Sequence, residues 1–89
     1  MYPGVKRVKP LEDYILLLEF DTGEQRLFDV KPILSFGRFR GLASPEMFGT
    51  VKVVFDTIGW ANGLDLDPEY LYERSTSLPV EQLTADRVS

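Results

Sequence analysis

Histidine and cysteine are both absent from the 89-residue chain. Without histidine the commonest general base and the commonest zinc ligand are missing, and without cysteine there are no thiolate nucleophiles, thiolate metal sites or disulfides. Most hydrolytic and redox chemistries fall away together. The fold must be held by packing alone, and nothing calls for an oxidising compartment. Long apolar runs are missing as well: the longest is the four residues Ile15 to Leu18, far short of a signal core or a spanning helix. A cytoplasmic protein without membrane association is the expectation. The seven glycines are scattered singly, with no Gly-rich loop leading into a lysine and a hydroxyl residue, so no phosphate cradle and no cofactor are expected. Positive charge is not in excess either. Fourteen acidic against ten basic residues give a net charge of −4, which disfavours attraction to nucleic acid.

What is present suffices for one core. With 44% apolar residues the chain supports a single domain, expected over residues 1–75, followed by a polar tail over 76–89 that forms one amphipathic turn near Pro79 to Leu83 or frays. Residues 5–9 alternate apolar and basic and read as an edge strand, because lysines on an edge discourage pairing with foreign strands. Residues 14–20 give the strongest strand signal. Tyr14, Leu16, Leu18 and Phe20 share one face, while Ile15 and Leu17 make the other face apolar too, as suits a central strand. Asp21-Thr22-Gly23 is a tight loop in which the glycine takes the left-handed conformation, and residues 24–30 return antiparallel. Gln25 and Arg26 are expected toward the open end of this hairpin.

Between Lys31 and Gly49 the alternation stops and five glycines and prolines leave room only for short turns. One is expected over 32–36, ended by Gly37. A second is capped by Ser44, with Pro45 at its first position and Gly49 just past its end. Ile33, Leu34, Phe36, Phe39, Leu42, Met47 and Phe48 are expected to lie over one sheet face. Alternation resumes over 51–55, with Val51, Val53 and Phe55 on one side; a turn at Asp56-Thr57 would lead into a strand over 58–60. Trp60 is expected as a core anchor whose indole N–H finds a partner. Asn62-Gly63 marks a turn, Asp67 an N-cap, and Pro68 the first residue of a helix over 68–74, with Leu66 and Leu71 at hydrophobic-staple spacing. Tyr70 and Tyr72 point to different faces of that helix, so one of them is expected to be buried. The predicted fold is therefore α+β: a small, mostly antiparallel sheet of about five short strands, with short helices over one face and a short helix after the last strand.

Asp65, Asp67 and Glu69 alternate, with Asp56 able to join them, and superficially resemble an oxygen site for a hard cation. The glycine and the bidentate glutamate of a calcium loop are missing. Structural roles account for all three residues: Asp67 caps, Glu69 favours the positive end of the helix dipole, and Asp65 satisfies the backbone of the turn. No metal and no catalytic residue is assigned. The competing reading is a carboxylate-based metal protein or weak hydrolase that uses Asp65, Asp67 and Glu69. The composition favours instead a non-catalytic interaction module that binds a small protein partner or another copy of itself. Its candidate surface is the bend Arg38-Phe39-Arg40, an edge strand beside it, or both, since an aromatic between two arginines is common in interface cores; the competing reading is that Phe39 simply plugs the sheet.

Val8-Lys9-Pro10, Leu16 to Phe20 with Gly23-Glu24, Phe28-Asp29-Val30, Gly37, Phe39, Leu42, Phe48 and Ile58-Gly59-Trp60 lead into Asn62-Gly63-Leu64-Asp65-Leu66 and Pro68-Glu69-Tyr70-Leu71-Tyr72. This series resembles the bacterial domain-of-unknown-function family 2442 over residues 5–74. Its most specific part is the segment carrying Trp60, Asn62, Gly63, Asp65, Pro68, Glu69, Leu71 and Tyr72. The resemblance implies a small α+β domain without established activity or catalytic residues. It also implies genes that neighbour other small proteins, some pairs resembling the two halves of a toxin–antitoxin system.

Overall fold

Strand β2 (Ile15–Phe20) is the centre of the molecule, with Leu16, Leu18 and Phe20 fully buried along one face. It is flanked by β1 (Val5–Pro10) and β3 (Gln25–Asp29), and β3 pairs in turn with β7 (Thr76–Ser77). All three pairings are antiparallel. The computed structural model describes residues 2–78. The expected edge role of the lysine-bearing first strand is met, and its alternation is shifted by an irregularity between Val5 and Arg7. Strand β2 starts one residue later than expected. Asp13 and Tyr14 both take φ of 61°, and this left-handed pair turns the chain into β2. Two tethers hold the turn: the Lys31 ammonium donates to the Asp13 carbonyl at 2.6 Å, and the Tyr14 hydroxyl donates to the Ala43 carbonyl.

A second sheet of three antiparallel strands, β4 (Lys52–Val54), β5 (Thr57–Gly59) and β6 (Asp65–Leu66), accounts for the remaining strands. The class is α+β as expected, but the strands number seven among the described residues and are divided between two sheets. The division follows from chain length, since β4 to β6 are only two or three residues long and lie beside β1 without extending its ladder. One backbone bond, from Val5 N–H to the Asp56 carbonyl at 2.8 Å, ties the sheets together.

Two hairpins use the same device. Phe20 N–H reaches the Glu24 carbonyl and Gly23 N–H the Phe20 carbonyl; Trp60 N–H reaches the Leu64 carbonyl and Gly63 N–H the Trp60 carbonyl. Both are three-residue loops ending in a glycine, at φ of 88° for Gly23 and 90° for Gly63. The β4–β5 turn differs. Val54 pairs with Thr57, so the turn residues are Phe55 and Asp56, one position earlier than expected. Phe55 takes φ of 56°, which breaks the alternation expected to put it on one side with Val51 and Val53, and it is 95% exposed.

Across the core-facing side lie a 3-10 turn over Lys31–Ile33, a second over Gly37–Ala43, and helix α1 (Pro45–Phe48). Ser44 caps α1 and Gly49 follows it, as expected. Gly37 does not end a turn but opens one, which sends Leu42 into the core. Ile33 and Phe48 are buried, and Leu34, Phe39 and Met47 pack partly against the core; Phe36 is the exception, 61% exposed. Helix α2 (Pro68–Arg74) then lies across β2 and β3 with Leu71 fully buried. Both tyrosines, rather than one, are half-buried, because each packs edge-on against a different strand: Tyr70 on Phe28 and Tyr72 on Phe20. The pairing of Thr76–Ser77 with β3 carries the folded chain past Ser75. The turn expected at Pro79 to Leu83 lies outside the described residues.

Candidate functional site

The β5–β6 hairpin and the segment before α1 are brought together by a close approach. A side-chain carbon on Gly41 would meet the Asn62 amide at 3.4 Å, so the 3-10 turn carrying Arg38, Phe39 and Arg40 sits against the Ala61-Asn62-Gly63 loop. Between this turn and the start of α2 opens a cleft of about 510 Å³. Ile33, Leu66 and Phe39 supply apolar surface, with Phe36 and Tyr70 adding aromatic rings. Arg38, Asp65 and Asp67 add charge to the lining.

Two groups singled out separately in the sequence thus meet in one place. Arg38 and Phe39 come from the expected partner surface, Asp65 and Asp67 from the carboxylate series, while Arg40 and Glu69 do not line the cleft. The Arg38 guanidinium lies over the Phe39 ring at 5.5 Å and has no carboxylate partner among the described residues. Phe39 is half-buried against the core, so it serves the fold and the cleft wall at once.

Asp67 caps α2 by accepting from Glu69 N–H at 2.9 Å, and Pro68 stands at the first helical position, as expected. Asp65 departs from expectation. The turn backbone is satisfied by Asn62, whose side-chain oxygen accepts from Leu64 N–H at 3.2 Å, because Asn62 sits inside the loop and Asp65 already belongs to β6. The Asp65 carboxylate is exposed at the cleft with no ion pair among the described residues. No group of three or more carboxylates among the described residues converges to hold a metal ion. Capping explains Asp67, so Asp67→Ala should cost about 1 kcal/mol, or about 4–8 °C in melting temperature. Calcium or magnesium should leave the melting temperature of the wild type unchanged, and a rise that disappears in Asp65→Asn would contradict the structural assignment.

On the other side of α2 lies a polar cluster that the sequence did not mark. Arg26 is at the closed end of the β2–β3 hairpin, not the open end, because the loop begins only five residues before it. Opposite Leu18 in the ladder, it faces the core side. Its Nε donates to Ser75 Oγ at 2.7 Å, Nη2 to the Ser75 carbonyl at 2.7 Å, and Nη1 to Glu24 Oε2 at 2.7 Å and Ser77 Oγ at 2.9 Å. The Tyr72 ring stacks at 4.5 Å, and its hydroxyl donates to Glu24 Oε1 at 2.9 Å. Arg26 and Tyr72 hold the Glu24 carboxyl below the usual glutamate range, and Glu24 in turn pushes the Tyr72 phenol up. Trp60 is likewise structural, 4% exposed with its indole N–H donating to the Phe48 carbonyl at 3.1 Å.

Among the described residues no helix is long and apolar enough to cross a membrane. A family model described as a protein of unknown function (DUF2442) matches residues 5–77. No curated protein and no solved structure matches the chain.

Proposed function

The chain belongs to the DUF2442 family of proteins of unknown function, a membership that supplies no chemistry, and from its surface we propose a non-catalytic protein-interaction module that docks its partner in the Arg38–Asp65 cleft. One observation carries the reading: half-buried aromatic surface lies beside charges of both signs, Arg38 and Asp65, that have no ion-pair partner among the described residues. Apolar surface edged by charge is the arrangement of an interface, in which the aromatic rings supply the energy and the charges the register. The groups whose titration is displaced, Tyr2, Glu24, Lys31 and Tyr72, are engaged in bonds to neighbouring side chains, and none of them lines the cleft. A perturbed group in a cleft is what acid–base catalysis would ask for. A regulatory pair of the toxin–antitoxin kind is the finer form of this reading, with a small protein encoded beside this one as the partner.

Phe36→Ser and Arg38→Glu test the cleft, because both side chains are exposed and neither variant should move the melting temperature by more than about 4 °C. Each is expected to abolish association with another copy or with a co-expressed neighbouring protein. Unchanged association in the folded variants would rule out the cleft as the docking surface. Generic duplex DNA at physiological salt should not bind, because the net charge is −4.

A further inference from the structure

Phe55 puts a bulky ring at a turn position whose backbone conformation calls for glycine. Its φ of 56° at the first position of a two-residue hairpin turn is where glycine is favoured, and a bulky side chain is strained there. The other two strained positions have local explanations, since Lys31 holds Asp13 and the Tyr14 hydroxyl is bonded to Ala43. Phe55 has none: at 95% exposure its ring is left in water. The tip itself is firmly placed, because the Asp56 carbonyl accepts from Val5 N–H of the neighbouring sheet. A rigid tip presenting an aromatic ring is preorganised for insertion.

The matching hole is on the same end of the same sheet. Ile58 pairs with Leu66 and the Thr57 hydroxyl donates to the Leu66 carbonyl, so Leu66 and Asp67 of the cleft lie at the end of β5 from which the Phe55-Asp56 turn projects. Knob and hole at one end of the sheet suit a two-fold interface, in which the same patch serves both copies. Charge supplies one attractive pair, Arg38 with Asp56, alongside the Asp65 and Asp67 carboxylates that also line the cleft. Asp56 beside the knob and Arg38 beside the hole are both without ion-pair partners among the described residues, and an exchanged tip brings the two signs together.

We propose that the occupant of the cleft is a second copy of this chain, each copy placing Phe55 in the aromatic cleft of the other; this rests on the cleft being a docking surface. Solution mass of the purified full chain, measured across a concentration series, should rise from monomer to dimer and no further. Phe55→Gly should weaken dimerisation by about tenfold or more, as loss of an interface aromatic does. Diluted to monomer, it should melt no lower than the wild type, since glycine relieves the turn. Phe36→Ser, at the cleft, should weaken dimerisation to a similar extent, and an equimolar mixture of the two variants should regain part of the association through the one intact knob and hole. A wild type that stays monomeric at every concentration overturns the proposal, as does a dimer that persists in either folded variant. If the wild type is monomeric while Phe36→Ser loses a co-expressed partner, the second-copy inference fails and the docking cleft stands.

Discussion

Trp60→Ala is expected to cost about 3–5 kcal/mol, the range for removing a large aromatic from a packed core. A domain of this length has roughly 4–13 kcal/mol in total, so the variant loses a large share of its stability and, at the lower end of that range, is unfolded at room temperature. The magnitude has two sources. The indole is 4% exposed and belongs to the cluster shared with Phe48, Ile58 and Leu66, so its removal opens a cavity where the second sheet meets the core. Its N–H also satisfies the Phe48 carbonyl at 3.1 Å, which alanine would leave without that donor beneath the surface. Trp60→Phe separates the two, because it keeps most of the apolar volume and loses only the donor, with an expected cost of about 1–3 kcal/mol. Urea unfolding followed by circular dichroism measures both. If Trp60→Ala lost under about 1 kcal/mol, the sheet junction would have to be held elsewhere.

Much of this architecture is written in short local signals. Alternation from Leu16 to Phe20 marks the core face of the central strand, and Ile15 and Leu17 make its opposite face apolar too. Gly23 and Gly63 mark their loops because each turn requires a positive φ. Ser44 with Pro45, and Asp67 with Pro68, mark helix starts because capping chemistry is confined to adjacent residues. The β4–β5 turn was illegible for the converse reason. No glycine stands at Phe55, so nothing in the local sequence distinguishes that position from Asp56 or Thr57, and alternation continued through it assigns Phe55 to the wrong environment. The cleft was half legible. Arg38, Phe39, Asp65 and Asp67 were each singled out, but their meeting depends on the approach of Gly41 to Asn62, which no spacing encodes. Phe36 and Tyr70 drew no notice as cleft residues, since one looked like core cover and the other like a helix face.

Arg26 was missed because its partners are remote, with Ser75 and Ser77 lying 49 and 51 residues away. Arg26→Ala is expected to cost about 2–4 kcal/mol, because hydrogen bonds to charged groups and the partners left behind both count. With a side chain only 14% exposed, Arg26 joins the β2–β3 loop end to the C-terminus of α2 and to β7. Its loss leaves the buried Ser75 without the guanidinium donor and releases the Tyr72 stack. Arg26→Lys should recover little, since an ammonium cannot reproduce four divergent bonds from one planar fork. The acid limb of the stability profile gives a second, independent readout. The Glu24 carboxyl is lowered in the folded chain, first by the Arg26 hydrogen bond and then by that of Tyr72. A group lowered on folding binds protons more readily when unfolded, so its contribution is complete above the ordinary glutamate value of about 4.3. That contribution is lost as pH falls from there through the lowered folded value. In Arg26→Ala the carboxyl returns toward its ordinary value, and the part of the acid slope that Glu24 supplies should flatten, as it should in Glu24→Gln. The double variant should then be no flatter than either single one. Equal acid slopes in wild type and Arg26→Ala, with stability otherwise reduced, would show that Arg26 acts by packing on Tyr72 rather than by holding the Glu24 charge.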